Sequence, residues 1–176
     1  MSKSKTSSTK LRKAKNDELF IRADKLVDSG ESRAAFRLFL AGAKAGDRVC
    51  QLNVGNCYDD AKGVRRNREA ALYWYKRAYR RGDAAAACNL GILWRNEGKH
   101  ARPLAWLKRA VKMGDDEANL EIANHYLKNE YLPRRAITYL RKAVASSRVS
   151  EAGAEEAVAQ IRQIQKRRDN FASLSK

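Results

Sequence analysis

Residues 46–83, GDRVCQLNVGNCYDDAKGVRRNREAALYWYKRAYRRGD, begin and end with the pair Gly-Asp, and this pair decides the fold. It occurs a third time at Gly114-Asp115, so that the three pairs are 36 and 32 residues apart. Other features recur in step with it, because a small side chain follows each Asp by three residues, at Cys50, Ala86 and Ala118. Self-similarity at this period indicates an array of helical hairpins.

Each repeat is interpreted as two antiparallel helices, A and then B, joined by a short turn. The B segments share apolar positions at amphipathic spacing; they are residues 71–78, 103–110 and 136–143, with a looser copy at 35–42. We expect each Gly to end a B helix in the left-handed conformation and each Asp to cap the next A helix. Gly55 and Gly91 would let neighbouring helices approach closely. At least three such hairpins must stack to bury their apolar faces.

The segments on either side of the array differ in composition. Residues 1–15 contain six cations and no acid, which predicts a disordered basic tail. The array is expected over 16–149, a capping helix over 150–168 and a flexible C-terminus over 169–176. No apolar run is long enough to span a bilayer, and the N-terminus does not resemble a signal peptide. Together with three cysteines expected to be buried thiols, this favours the cytoplasm.

Two stretches, residues 46–64 and 70–82, resemble the Sel1-like repeats, which are relatives of the tetratricopeptide repeats. They keep the Asn-Val-Gly segment at 53–55, Tyr58, the Gly-Val loop at 63–64 and an Ala-x-x-Trp-Tyr-x-x-Ala pattern at 71–78. The resemblance covers residues 17–147. It implies an all-α fold, a right-handed α/α superhelical solenoid of about four helix-turn-helix repeats with a C-terminal capping helix and a concave surface that binds protein. The chain departs from the pattern at Asn67, where an acidic residue is common, and in its shorter third and fourth A–B loops.

Partner-binding residues are expected on one face of the A helices. Positions six, nine and thirteen after each Asp share a face and are rich in amides, which suits hydrogen bonding to a partner; they are Asn53, Asn56, Asp60, Asn89, Ile92, Asn96, Glu121, Asn124 and Lys128. The alternative is an ordinary solvated face.

A second group of candidates is a basic edge at the expected starts of two B helices. It comprises Arg65, Arg66, Arg68, Arg134 and Arg135. Cations at a helix start oppose the helix dipole, by about 0.3–1 kcal/mol each at low salt, so their presence indicates an anionic partner. Alternatively, solvent screens them and they keep the surface hydrated.

A catalytic site is not predicted. Glu121 and His125 lie four residues apart on one helix and could hold a metal or pair a base with its orienting group. No third ligand or nucleophile is specified nearby, so an exposed ion pair is the favoured interpretation. We therefore expect no enzyme activity, no cofactor, no metal and no small-molecule substrate.

The sequence thus predicts a non-catalytic scaffold that binds an acidic protein or peptide through its concave surface. An antidote that neutralises an acidic toxin is one version of this role. The net charge of +17 also leaves open charge-driven binding of RNA or DNA, with steep salt dependence. We expect no membrane partner and a monomer when the chain is unbound.

Overall fold

A computed structural model of the chain describes residues 3–95, 101–128 and 132–174, with side chains described over 14–95, 102–128 and 132–170. Within these ranges all regular structure is α-helical. The helices are α1 (Lys3–Asp28), α2 (Ser32–Lys44), α3 (Arg48–Asp60), α4 (Arg68–Arg80), α5 (Ala84–Arg95), α6 (Ala101–Lys112), α7 (Ala118–Lys128), α8 (Pro133–Ala145) and α9 (Glu151–Leu174). Helices that follow one another pack as hairpins, for example α3 on α4 and α7 on α8. The all-α fold of stacked helical hairpins is therefore confirmed.

The turns between successive hairpins have the predicted chemistry. Gly46, Gly82 and Gly114 all have positive φ angles, of 95°, 84° and 97°, which glycine adopts without steric cost. Directly after them, Asp47 Oδ1 accepts a 2.8 Å hydrogen bond from the N–H of Cys50, and Asp83 Oδ1 accepts one of 2.9 Å from Ala86. The first two Gly-Asp pairs thus end one helix and cap the next, whereas α7 begins only at Ala118, three residues after Asp115.

Both ends of the chain differ from the sequence prediction. Helix α1 begins at Lys3 and so includes residues assigned to a disordered tail, and α9 continues to Leu174, beyond the expected capping helix. Residues 1–28 contain no Gly or Pro, and strong helix formers such as Lys, Leu, Ala and Arg outweigh the Ser and Thr on which the prediction rested. The later part of α1 also packs on α2, with the rings of Phe20 and Phe39 6.1 Å apart.

The chain forms two compact units, Met1–Ala86 and Ala87–Lys176. The core of the first unit combines small and large side chains from four helices: Ala23, Ala35, Phe39, Ala43, Cys50, Val54, Cys57 and Trp74. Gly55 faces the ring of Tyr75 so closely that an added Cβ would lie 2.5 Å from two ring carbons. This confirms that glycine permits the close approach of the A and B helices.

The second unit has a core of the same kind. Its buried side chains include Leu90, Leu93, Leu107, Ala110, Ile122, Tyr126, Leu140, Ala143 and Ala157. Gly91 takes the role of Gly55, because a Cβ there would lie 2.7 Å from Cγ of Leu107. The two units therefore share the same packing of a B-helix side chain against a glycine of the A helix, as well as the same sequence pattern.

The cysteines are free and buried. Burial raises the pKa of Cys50 to about 12 and that of Cys57 to about 11, so neither is a thiolate near neutral pH. Both act as small apolar core residues. In the part of the chain with described structure, no helix has the length and apolar character needed to cross a membrane.

Candidate protein-binding surface

In the first unit, the A-helix face lies on α3 and its polar residues have partners inside the chain. Asn53 is half-buried and donates a 3.0 Å hydrogen bond from Nδ2 to the carbonyl of Val49. Asn56 Oδ1 accepts a 2.9 Å bond from the Tyr75 hydroxyl. Asp60 is exposed and lies 3.2 Å from Nζ of Lys62. The carboxylate of Asp60 is thus the most accessible polar group on the α3 part of this face.

In the second unit, the predicted residues lie on α5 and α7. Asn89 and Ile92 are half-buried on α5, whereas Asn96 lies outside the described residues. On α7, Glu121 forms an ion pair with Arg95 of α5. Asn124 Oδ1 accepts a 3.2 Å hydrogen bond from Nε2 of Gln160 on α9.

Two of the predicted positions therefore join successive A helices. The contact between Arg95 and Glu121 ties α5 to α7, and that between Asn124 and Gln160 ties α7 to α9. Each bond uses only part of the polar group, because a carboxylate or an amide has several hydrogen-bonding sites. Lys128, at the end of α7, is exposed. The face remains a candidate surface, but its polar residues also stabilise the array.

The residues of the basic edge differ in their exposure and in the partners they have within the chain. Arg65 is exposed, while Nη2 of Arg66 lies 3.6 Å from Oδ1 of Asp59. Both precede α4 in the chain, and Arg68 is the first residue of that helix.

At the start of α8, Arg134 and Arg135 are exposed, and the guanidinium of Arg135 lies 5.7 Å from the ring centroid of Tyr126. The first turn of α8 contains no acidic residue, and its N-cap Leu132 makes no side-chain capping bond. The two cations thus oppose the helix dipole without a local counter-charge in that turn.

A recurrent cation–aromatic pair on the B helices was missed by the sequence analysis. Arg77 lies 5.5 Å from the ring centroid of Trp74, and Arg109 lies 4.8 Å from that of Trp106. Lys142 is 4.9 Å from the ring of Tyr139 in the last B helix. The signal is an aromatic residue three positions before a cation, a spacing that brings side chains together on a helix.

The expected ion pair between Glu121 and His125 is wrong. His125 is completely buried, with its ring 6.2 Å from that of Tyr126, and Glu121 pairs with Arg95 instead. Sequence spacing alone did not reveal that the face of α7 bearing His125 is covered. No group of three or more His, Cys, Asp or Glu side chains in the described ranges is placed to hold a metal ion.

Stacked antiparallel hairpins with a repeated Gly-Asp turn define an α-helical repeat protein, a class that generally serves as a scaffold for protein interactions. A family model described as the Sel1 repeat matches residues 48–83, 84–115 and 117–147, which together are more than half of the chain. The chain therefore belongs to the Sel1 repeat family, whose members are typically non-catalytic.

Solved structures support this assignment. The crystal structure of a Sel1 repeat protein from Oxalobacter formigenes is 25% identical, with a TM-score of 0.59 over 80% of this chain. This chain spans 57% of the length of that protein. The crystal structure of MamA, at 16% identity and a TM-score of 0.58, covers 90% of this chain and 86% of its own, and shows a shared fold. None of the curated proteins matches the sequence.

Proposed function

We propose that this chain is a non-catalytic scaffold that binds an acidic protein segment through its A-helix face and its basic edge. The observation that carries the proposal is the start of α8, where the exposed cations Arg134 and Arg135 oppose the helix dipole and the first turn has neither an acid nor a side-chain cap. A partner carboxylate near this turn would interact favourably with both guanidinium groups and with backbone N–H groups, which have no intrahelical partner in the first turn of a helix.

The rest of the basic edge and the A helices support the same partner chemistry. Arg65 and Lys128 are exposed cations, and the half-buried Asn53 and Asn89 place amides on the A-helix face. Lys62, 3.2 Å away, offsets the negative charge of the exposed Asp60 on this face. The net charge of +17 draws an acidic partner toward this surface and opposes self-association, so we infer a monomer in the unbound state. The free cysteines suit a reducing compartment, and we infer the cytoplasm.

Capture from a nuclease-treated native lysate tests the proposal. The wild-type chain should retain a stoichiometric acidic protein at moderate salt, and an acidic toxin would be one such partner. The double variant Arg134→Glu/Arg135→Glu should lose this protein, because it reverses the charge at the start of α8. The matched control Arg22→Glu/Lys25→Glu makes the same change in net charge at exposed positions of α1 and should retain it. Equal loss in both variants would show that only total charge matters.

Charge-driven binding of nucleic acid is the second candidate function. The observation that favours it is the acid-free run of six cations in residues 1–15, of which residues 3–15 belong to α1. Titration with RNA and duplex DNA at several salt concentrations tests it. Affinity should fall steeply with salt and show little sequence preference. If binding to either polymer is absent at low salt, this candidate is excluded.

A further inference from the structure

Helices α8 and α9 enclose an open groove within the second unit. Its volume is about 340 Å³, and its floor is aliphatic, formed by Val144 and Ala145 of α8 with Val158 and Ile161 of α9. Val144 is 42% exposed and lies among the aliphatic residues that line the groove. The groove is therefore an apolar surface that the described residues leave open.

The lining residues follow helical spacing on both sides. Helix α9 contributes positions 158, 161, 162 and 165, and α8 contributes 141, 144 and 145, so each helix presents one face. Two such faces side by side form the slot into which a third amphipathic helix fits. Gln160, which bonds Asn124, lies on a different face of α9, so the groove is separate from the A-helix face.

On the α8 side, the apolar lining of the groove is not shared by the corresponding positions of α4 and α6. The repeat register aligns Val144-Ala145 with Tyr79-Arg80 in α4 and Val111-Lys112 in α6. Helices α4 and α6 thus carry a cation where α8 carries Ala145. Val111 is half-buried, whereas Val144 is exposed. Helix α9 packs on α8 as a further A helix does.

The charges around the groove specify the occupant. Arg141 and Arg162 lie among its lining residues, which include no acid. In the next turn of α9, Lys166 and Arg168 are exposed, and Nε of Arg168 lies 3.6 Å from Oδ1 of Asp169. A second copy of the chain would carry another +17 charges and is disfavoured. We propose that this groove binds an amphipathic helix of a partner protein, with an aliphatic stripe for the floor and carboxylates that face Arg141 and Arg162. This proposal goes beyond the A-helix surface and does not depend on it.

A designed peptide provides the probe. It has about 18 residues, or five helical turns, with Leu every third or fourth position and Glu on both sides of the Leu stripe. The labelled peptide is titrated with the full chain at moderate salt. We expect saturable binding with a Kd on the order of 10–100 μM. A scrambled peptide of the same composition, which lacks the stripe, should bind at least tenfold more weakly.

Paired variants of the full chain locate the binding. Val144→Glu should weaken the peptide affinity at least tenfold, whereas Val27→Glu, at a valine that is 47% exposed on α1, should not. Arg162→Glu should weaken it several-fold more than Arg37→Glu, which makes the same charge change at an exposed position of α2. Thermal melts establish that each variant is folded. Methyl resonances of Val144, Val158 and Ile161 should shift on peptide addition.

Several results would overturn the proposal. They are the absence of saturable binding up to about 1 mM peptide, equal binding of the scrambled peptide, and equal effects of Val144→Glu and Val27→Glu. A concentration-dependent dimer that Val144→Glu dissociates would assign the groove to a second copy and also reject the proposal. Loss of the captured protein in Arg134→Glu/Arg135→Glu has no bearing on this groove, so the two proposals fail separately.

Discussion

At the scale of single residues, Gly55 sets the distance between an A helix and its B helix. A Cβ at this position would lie 2.5 Å from Cδ1 and Cε1 of Tyr75, whose hydroxyl is held by Asn56. The ring cannot withdraw without loss of that hydrogen bond. We expect Gly55→Ala to lower the free energy of unfolding by about 1–3 kcal/mol, as overpacking does in cores. Urea denaturation followed by circular dichroism measures this change.

A double-mutant cycle identifies the contact responsible. In a Tyr75→Leu background the ring is absent, so Gly55→Ala should cost clearly less than in the wild type. The same cost in both backgrounds would mean that Tyr75 is not the obstacle and that the substitution acts elsewhere.

The raised pKa of the Asp115 carboxyl leads us to expect that this single residue makes the stability of the protein depend on pH. Burial raises its pKa above the ordinary value of 3.8, although the N–H groups of Ala118 and Glu117 oppose the shift. A carboxyl with a raised pKa binds its proton more tightly in the folded state, so its contribution to stability is present at low pH and is lost as pH rises through that pKa. Asp115→Asn cannot ionise and retains an acceptor oxygen. Its stability relative to the wild type should therefore be higher at pH 7 than at pH 3.

Denaturation at the two pH values measures this difference. Asp28→Asn, at an exposed position near the end of α1, is the control for the general loss of a carboxylate. A difference that is the same at pH 3 and pH 7 for Asp115→Asn would contradict the role of burial.

At the scale of a helix, the start of α4 depends on Asn67. Its Oδ1 accepts a 3.0 Å hydrogen bond from the N–H of Ala70 and so caps the helix beside the cations Arg65 and Arg66. Asn67→Ala should cost about 1 kcal/mol, the usual effect of losing such a cap. Asn67→Asp keeps the acceptor and adds a negative charge at the helix start, which should stabilise the protein by about 0.3–1 kcal/mol at low salt. Thermal denaturation at low and high salt measures both, and the gain of the Asp variant should shrink at high salt. An Asp variant no more stable than the wild type at low salt would contradict this account.

The helices and their turns were predictable because their causes are local. Gly46 and Asp47 end one helix and begin the next through bonds that span a few residues, and the same chemistry recurs at 82–83. At Gly114 only the left-handed helix end recurs. The contacts of the candidate surface were not predictable in the same way. Asn124 meets Gln160, 36 residues away, and Glu121 meets Arg95, 26 residues away. Such partners depend on how hairpins stack, which spacing within one helix does not specify.

The groove between α8 and α9 was likewise not predictable from the sequence. The sequence predicted an amphipathic helix near 150–168, and its apolar positions include Val158 and Ile161. Only the packed structure shows that these half-buried side chains, together with the exposed Val144, line an open groove.

At the scale of the whole molecule, the charge of +17 predicts how salt affects stability. Like charges held close together in the folded chain repel one another, and the unfolded chain relieves this repulsion by expanding. Salt at about 0.5 M shortens the screening length to a few Å, so added NaCl should raise the Tm by several degrees from its value at about 20 mM.

A variant with Glu at the exposed positions Arg22, Arg37, Lys108 and Lys166 changes the charge by two at each site and lowers the total to +9. Its Tm should rise less with salt, whereas Lys/Arg exchanges at the same four sites should behave as the wild type does. If both variants respond equally, the salt effect comes from the strengthening of apolar burial, and the excess of cations is not a source of instability. A smaller response in the Glu variant would mean that the excess of cations destabilises the folded chain, and an acidic partner of the proposed kind would relieve this repulsion on binding.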